Sequence, residues 1–279
     1  MNSKAVNRHV IWLNGMPRSG TTWMSQVFAS AAAVRLKFCP LFSYEFKNSQ
    51  DENSSTEQWQ SLFEQVFHTK SDYLDQNYLR QKGLVPQFVS QCEPSHLVIK
   101  STRFHNLTPK LLQLNSNVRV VHLVRDPRAC IASWLNNPYE FPANEDPMRQ
   151  WRSGKCRKNG VGEFWGFEDW KIVTQQALQL AGEYPKSFLL VSYDQLMQDV
   201  YSGVKQIFDF SQLTFEQATF DFITQSQSRH DDNKRSVFKR PEKIPKWHQL
   251  LDSRIIEAIQ EDIAGTELER FLHGNKKQE

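Results

Sequence analysis

The 279-residue sequence lacks a long hydrophobic run, a cysteine cluster and an excess of charge of either sign. No apolar stretch approaches the roughly 20 residues that cross a bilayer, so we expect no membrane-spanning helix. The 34 Lys and Arg residues nearly balance the 31 Asp and Glu residues, which leaves a formal net charge of +3. This balance does not indicate a nucleic-acid-binding protein, although it is compatible with a local basic pocket.

Cysteine is scarce, and its pattern argues against a metal site or a disulfide framework. The four cysteines are Cys39, Cys92, Cys130 and Cys156. None belongs to a CxxC pair, and no His/Cys group has the spacing of zinc ligands, so we expect reduced thiols and no metal. The polar segment 1–8 is short and leads directly into a strand-like run, which leaves no room for a signal peptide. We therefore expect a cytoplasmic protein.

What the chain does have is an alternation of strand-like and helix-like segments. The predicted strands are 10–13, 34–38, 96–100, 118–124 and 187–191, and the predicted helices include 21–33, 108–114, 170–183 and 253–271. Two or three further helices are expected in 56–90, and 225–246 reads as a loop. This order predicts an α/β fold of three layers, with a central parallel sheet flanked by helices. We expect one domain over 1–279, with an inserted lid at about 136–166 that is rich in Pro, Gly, Asn and charge.

The first candidate site is the segment 15–23, which follows a predicted strand and opens a predicted helix. Backbone N–H groups at a helix N-terminus bind anions, and Gly20 permits close backbone approach. The spacing resembles the P-loop pattern G-x-x-x-x-G-K-[ST], but Thr21 stands where a nucleoside-triphosphate enzyme has lysine. The cation here is Arg18, inside the loop. An ordinary turn between a strand and a helix is the alternative.

The second candidate site follows the strongest predicted strand, 118–124. Arg125 ends this strand, Asp126 is a good N-cap, and Pro127 suits the first helical turn. Ser133 lies two helical turns later, so that Arg125 and Ser133 can reach one phosphate. A capped helix beside a surface arginine is the alternative.

Together the two segments resemble the nucleotide motifs of sulfotransferases that use 3′-phosphoadenosine 5′-phosphosulfate (PAPS). The family pattern P-[KR]-S-G-[ST]-[TS] matches Pro17, Arg18, Ser19, Gly20, Thr21 and Thr22, and Trp23 follows. The resemblance implies a P-loop-like fold in which this loop binds the 5′-phosphosulfate and Arg18 stabilises charge on the sulfuryl oxygens. It implies that Arg125 and Ser133 bind the 3′-phosphate. The run R-D-P-R-A is closest to the carbohydrate and bacterial polysaccharide branch.

The catalytic base is where the sequence departs from the family pattern. Cys39 occupies the position at which several branches carry glutamate, and Thr102 occupies the position of the histidine of the small-molecule branch. The nearby substitutes are Glu45, whose aromatic surroundings would raise its pKa if it were buried, and His105. The alternatives are a solvated loop carboxylate and a surface or capping histidine. Lys100 is expected to help the leaving group, unless it is a surface lysine at a strand end.

The resemblance implies PAPS as donor, adenosine 3′,5′-bisphosphate (PAP) as product, and no metal. The expected acceptor is a glycan, a glycolipid or a small hydroxylated metabolite. Aromatic residues of the insertion either stack on the acceptor or pack the lid; they are Phe141, Trp151, Phe164 and Trp165. Two other functions stay open: a P-loop nucleotide kinase, and an inactive nucleotide-binding protein that has lost its base. The oligomeric state is not predicted.

Overall fold

A computed structural model describes residues 8–239 and 247–273. Its centre is a five-stranded sheet in the order β2-β3-β1-β4-β5, in which every pair of neighbouring strands is parallel. The strands are β1 His9–Gly15, β2 Val34–Phe38, β3 His96–Lys100, β4 Val118–Val124 and β5 Phe188–Ser192. The predicted parallel α/β architecture is therefore confirmed.

Helices cover the sheet on both faces. In the described residues they are α1 Thr21–Ala29, α2 Thr56–His68, α3 Asn77–Gln81, α4 Thr108–Leu114, α5 Pro127–Leu135, α6 Pro147–Gln150, α7 Gly166–Glu183, α8 Tyr193–Leu196, α9 Val200–Ser211, α10 Gln217–Ser228, α11 Trp247–Leu250 and α12 Ser253–Ile263. Short 3₁₀ turns lie at Pro40–Phe42, His105–Leu107, Lys155–Arg157 and Glu267–Phe271.

The alternation of side chains along β1 explains the three layers. Ile11 and Leu13 join a core with α1, α9 and α10. Val10 and Trp12 point to the opposite face and join a second core with α2, α4 and α7. Because successive residues of a strand face opposite sides, a sheet covered on both faces needs continuous apolar strands. This requirement accounts for the uninterrupted hydrophobic runs that mark the strands in the sequence.

The insertion contributes to a third core, which α5, α11 and α12 complete. Trp134 of α5 packs edge-on against Phe141 at 5.4 Å between ring centroids and lies 5.6 Å from Trp165. Trp151 is buried in the same cluster, and Phe164 packs against it. Three of these aromatics, Phe141, Trp151 and Trp165, are buried in this core, and Phe164 is partly buried against it.

Two predicted helices are shorter in the structure than in the sequence pattern. The helix predicted at 21–33 ends at Ala29, because the Ser30 hydroxyl donates to the Val27 carbonyl at 2.6 Å and the chain turns toward β2. The helix predicted at 253–271 is interrupted after Ile263, where Gly265 adopts a φ of +70°. The loop predicted at 225–246 begins later, since α10 continues to Ser228, and 240–246 lie outside the described residues.

Candidate active site

The loop between β1 and α1 forms one end of the site. Arg18 has a φ of +72° and Gly20 a φ of +89°, so the chain curls tightly before α1 begins at Thr21. Gly20 is the N-cap, and no side chain in the described part of the protein caps this helix end. The first N–H groups of α1 therefore point outward without a protein cap, as they do at anion-binding helix ends.

Only glycine fits at position 20. A Cβ atom built on Gly20 would lie 2.3 Å from the ring of Tyr193, which follows β5. That distance is far below van der Waals contact, and the positive φ adds strain for any other residue. The ring of Tyr193 therefore closes the outer side of the loop, and it also faces the guanidinium of Arg125 at 5.1 Å.

The structure brings the two sequence-predicted sites together. Arg18 Nε donates a hydrogen bond to Ser133 Oγ at 3.0 Å, and Arg125 Nη1 donates to the Arg18 carbonyl at 3.1 Å. These contacts join residues more than 100 positions apart in the sequence. They arise because β1 and β4 are parallel neighbours, so the loops that follow both strands lie at the same edge of the sheet.

Arg125 retains a donor for a ligand. Its Nε is buried and has no hydrogen-bond partner among the described residues. Its own carbonyl accepts from Trp170 Nε1 at 3.1 Å, so the backbone at the end of β4 is held in place. A buried donor without a partner is costly unless a ligand supplies an acceptor, and a phosphate oxygen would do so. Asp126 caps α5 by accepting from the Arg128 N–H at 2.9 Å.

Lys100 is buried, not a surface residue. Its side chain is 4% exposed, Nζ donates to Thr22 Oγ1 at 3.2 Å, and the ammonium group lies 4.4 Å from the centroid of Phe38. Burial lowers the pKa of Lys100 from its usual value. The lysine therefore places a poorly solvated charge beside the first turn of α1, next to the loop that contains Arg18.

The remaining residues of the loop have structural contacts of their own. Ser19 is buried with its hydroxyl 3.7 Å from Cys130 Sγ. The Trp23 indole is buried and donates to Ser226 Oγ at 2.9 Å, which ties α1 to α10. Pro17 precedes Arg18 at the outer bend of the loop. These contacts fix the loop between α5 on one side and α10 on the other.

The two residues considered as substitutes for the missing base lie in contrasting surroundings. Glu45 is exposed, and hydrogen bonding from the Ser71 hydroxyl holds its pKa below the usual value. The rise in pKa that burial among aromatics would have caused is therefore absent, because the flanking rings do not cover the carboxylate. His105 is buried, with Phe164 at 5.0 Å and His122 at 5.9 Å between ring centroids. Burial lowers the pKa of His105 well below its usual value.

Cys39 and Thr102 occupy the two positions at which branches of the family carry a catalytic base. Cys39 is buried with a φ of +42°, and its N–H donates to the Lys100 carbonyl at 2.7 Å. Thr102 lies two residues after Lys100, just beyond β3.

Among the described residues, no group of three or more His, Cys, Asp or Glu side chains is arranged to hold a metal. In the same part of the chain, no helix is long and apolar enough to cross a bilayer.

One charged residue of the site escaped the sequence analysis. Glu140, in the insertion, places Oε1 3.6 Å from Arg18 Nη1, and its charge also acts on Lys100. Nothing in the local sequence marks this glutamate, since it is one of several acids in an irregular segment. Its position depends on the path of the chain after α5, which Trp134 fixes by donating from Nε1 to the Glu140 carbonyl at 3.4 Å.

Three known proteins are similar to this chain in sequence or in structure. Carbohydrate sulfotransferase 3 of Tetronarce californica is 24% identical over 178 residues, and the match spans 61% of this chain but only 40% of that protein. The solved structure of mouse sulfotransferase SULT7A1 complexed with PAP has a TM-score of 0.56 at 14% identity, covering 95% of this chain and 88% of the other. Retinol dehydratase in a complex with retinol and PAP has a TM-score of 0.53 at 15% identity, covering 94% and 83%.

The structural likenesses establish the fold alone, because the identities are low. The sequence itself supplies the family: the model of the sulfotransferase domain family matches residues 8–272. This match includes the loop that contains Arg18 and the segment from Arg125 to Ser133. The chain therefore belongs to the sulfotransferase domain family.

Proposed function

We propose that this protein transfers the sulfuryl group of PAPS to a hydroxyl group of a carbohydrate or glycolipid. The observation that carries the proposal is the convergence of Arg18, Arg125 and Ser133 at one edge of the sheet. A nucleotide with phosphates at both its 5′ and 3′ positions needs two cationic contacts about one nucleoside apart. A nucleoside triphosphate has no 3′-phosphate and so gives no reason for the second contact.

The proposed roles divide the site into two ends. The N-terminus of α1, with Arg18, Thr21 and Thr22, binds the 5′-phosphosulfate. The buried Nε of Arg125 and the hydroxyl of Ser133 bind the 3′-phosphate. Positive charge at the phosphosulfate end stabilises the charge that develops on the leaving phosphate, much as fixed cations and N–H groups do in phosphoryl transfer.

The groups beside Lys100 support a polar acceptor. Arg103 forms an ion pair with Glu163 at 3.1 Å and lies over the ring of Phe42 at 3.4 Å from its centroid. Glu140 approaches from the insertion. Charged side chains of both signs suit a ligand with many hydroxyl groups, because each hydroxyl can both donate and accept a hydrogen bond. The similarity to a carbohydrate sulfotransferase favours the same acceptor class. A small hydroxylated metabolite is the second candidate.

Binding and transfer test the donor separately. PAP is expected to raise the melting temperature of the purified protein, whereas ATP with magnesium is not. ³⁵S-labelled PAPS is expected to label glycosides and glycolipids in an acceptor panel. Stabilisation by ATP with magnesium and phosphate transfer from it would favour a P-loop kinase. Binding of PAP without any turnover of PAPS would favour an inactive nucleotide-binding protein.

A pair of variants on one strand sharpens the binding test. Arg125→Ala removes the proposed 3′-phosphate contact, and PAP is expected to bind at least about tenfold more weakly, as for a lost charge-assisted hydrogen bond. Arg119→Ala is the matched control, since Arg119 lies on the same strand but contacts Gln212 at the other end of it. Equal affinities of the two variants for PAP would contradict the assignment.

The cytoplasmic location expected from the free cysteines also stays a proposal.

A further inference from the structure

Glu140 has a fixed backbone next to the candidate site. Its N–H donates to the Asn137 carbonyl at 2.9 Å, and its carbonyl accepts from Trp134 Nε1. Asn137 and Trp134 are each 2% exposed, so both partners belong to the packed interior. The turn that follows α5 therefore presents the Glu140 side chain from a rigid support, as a catalytic group requires.

The two carboxylate oxygens of Glu140 have different surroundings. Oε1 lies 3.6 Å from Arg18 Nη1, whereas Oε2 is buried and has no hydrogen-bond partner in the described parts of the chain. The side chain as a whole is 29% exposed, so it can be reached from outside. Burying an unpaired carboxylate oxygen is costly, and a ligand hydroxyl is the donor that would satisfy it.

Charges around Glu140 place its carboxylate at the proposed reacting end of the donor. Arg18 faces it from the loop after β1, and Lys100 acts on it from the end of β3. Arg235 lies nearby, over the ring of the adjacent Tyr139 at 4.3 Å. Arg18 and Lys100 are the two cations expected near the phosphosulfate, so an acceptor that binds beside them would have its hydroxyl close to the Glu140 carboxylate.

Other acids near the site are less suited to accept a proton. Glu163 has both oxygens occupied, by Arg103 at 3.1 Å and by Trp165 Nε1 at 2.7 Å. Glu45 is exposed on the surface that follows β2. Glu140 combines access from outside, a position beside Arg18, and an oxygen that no residue of the described structure uses.

We propose that Glu140 is the general base of this enzyme, an inference that rests on the proposed function. The acceptor oxygen forms a bond to sulfur while the bond from sulfur to the bridging oxygen of PAPS breaks. The electron pair of the broken bond goes to the 5′-phosphate of the departing PAP. The proton of the acceptor hydroxyl goes to the Glu140 carboxylate. Cys39 occupies the position of the family glutamate, and this assignment supplies the catalytic carboxylate from a different part of the chain.

Glu140→Gln tests the proposal, because the amide keeps the size of the side chain but cannot take the proton. With labelled PAPS and the most active glycoside, kcat is expected to fall at least about a hundredfold, the usual contribution of a general base. The affinity for PAP and the melting temperature are expected to change little. Glu145→Gln is the matched control: it alters another acid of the insertion, whose carboxylate contacts Gln150 at 2.7 Å, and is expected to keep the full rate.

The pH profile gives a readout that a purely structural role would not change. A general base must be unprotonated to act, so the wild-type enzyme is expected to show an acid limb in its kcat profile, and Glu140→Gln is expected to lose this limb. Burial lowers the pKa of Lys100, so Lys100→Met is measured beside Glu140→Gln to separate the two groups in the profile. Glu140→Asp, which withdraws the carboxylate by one methylene, is expected to keep the acid limb at a reduced rate.

Failure of this proposal can be distinguished from failure of the proposed function. PAP formation from PAPS with water as acceptor needs no identified glycan, so it is measured for every variant. A wild-type protein that neither binds PAP nor consumes PAPS overturns the function itself. An active wild-type enzyme with an equally active Glu140→Gln variant overturns only the base. An unchanged kcat with an altered KM for PAPS would make Glu140 a counter-ion of Arg18, which also overturns it.

Discussion

Arg18 Nε donates a hydrogen bond to Ser133 Oγ across 3.0 Å, and this contact connects the loop after β1 to the second turn of α5. The serine, proposed to bind the 3′-phosphate, is thereby in direct contact with the arginine proposed to bind the phosphosulfate. Arg125 reinforces the connection by donating to the Arg18 carbonyl from the end of β4. One small network of hydrogen bonds therefore links the two proposed phosphate contacts.

The network predicts the effect of Ser133→Ala. The substitution removes a hydrogen bond to Arg18 and a proposed one to the 3′-phosphate, so PAP binding is expected to weaken about tenfold, as when a hydrogen bond to a charged group is lost. Calorimetric titration with PAP measures the change. The control is Ser61→Ala on α2, where the hydroxyl only accepts from Gln65 at 2.8 Å. Unchanged PAP affinity in Ser133→Ala would remove the serine from the site.

Gly20→Ala tests the closeness of Tyr193 to the loop. The new methyl group would lie 2.3 Å from the Tyr193 ring at a φ of +89°, so the loop or the ring must move. We expect a loss of at least about 1–3 kcal/mol in the free energy of unfolding, the range found for backbone strain, together with weaker PAP binding.

Gly182→Ala is expected to change the free energy of unfolding in the opposite direction. Gly182 lies in α7, and a Cβ atom there meets nothing within 4 Å. Alanine is expected to stabilise this helix by up to about 1 kcal/mol. Urea denaturation of both variants gives the comparison. A Gly20→Ala protein as stable as Gly182→Ala would show that Tyr193 does not pack on the loop.

Lys100→Met is predicted to separate stability from activity. The lysine is buried with a lowered pKa, so the charged form is disfavoured by the folded protein. Replacing it by an apolar side chain of similar length removes this desolvation cost, and the melting temperature is expected to stay the same or rise. Transfer from PAPS is expected to fall about a hundredfold, because a cation beside the leaving group is lost. A variant that keeps its full kcat would contradict the role of Lys100.

The sequence was sufficient to predict the sheet and to place Arg18 and Arg125 in the segments that follow two of its strands. Both residues follow apolar strands, and loops after parallel strands lie at one edge, so local patterns carry this information. The sequence did not predict that Lys100 is buried and Glu45 exposed, because both depend on how Phe38 and the neighbouring turn pack. Glu140 was missed for the same reason: its place beside Arg18 follows from the packing of Trp134, which no local spacing encodes.

The burial of His122 predicts that the protein loses stability in mild acid. It is 3% exposed in β4 and stacks on Phe188 at 5.9 Å between ring centroids, and burial lowers its pKa from 6.5 to about 3. Because the unfolded chain binds a proton near pH 6.5 and the folded one does not, the stability present above pH 6.5 is lost as the pH falls toward about 3. At about 1.4 kcal/mol per pKa unit, a contribution on the order of several kcal/mol depends on this residue.

His122→Phe removes the titrating group while keeping an aromatic ring against Phe188. The free energy of unfolding, measured by urea at pH 7 and pH 5, is expected to differ less between the two pH values in this variant than in the wild-type protein. His68→Phe is the control, since it replaces a histidine whose imidazole is exposed on α2. If His122→Phe shows the same drop between pH 7 and pH 5 as the wild-type protein, another group causes the acid sensitivity, and His122 is not buried in its neutral form.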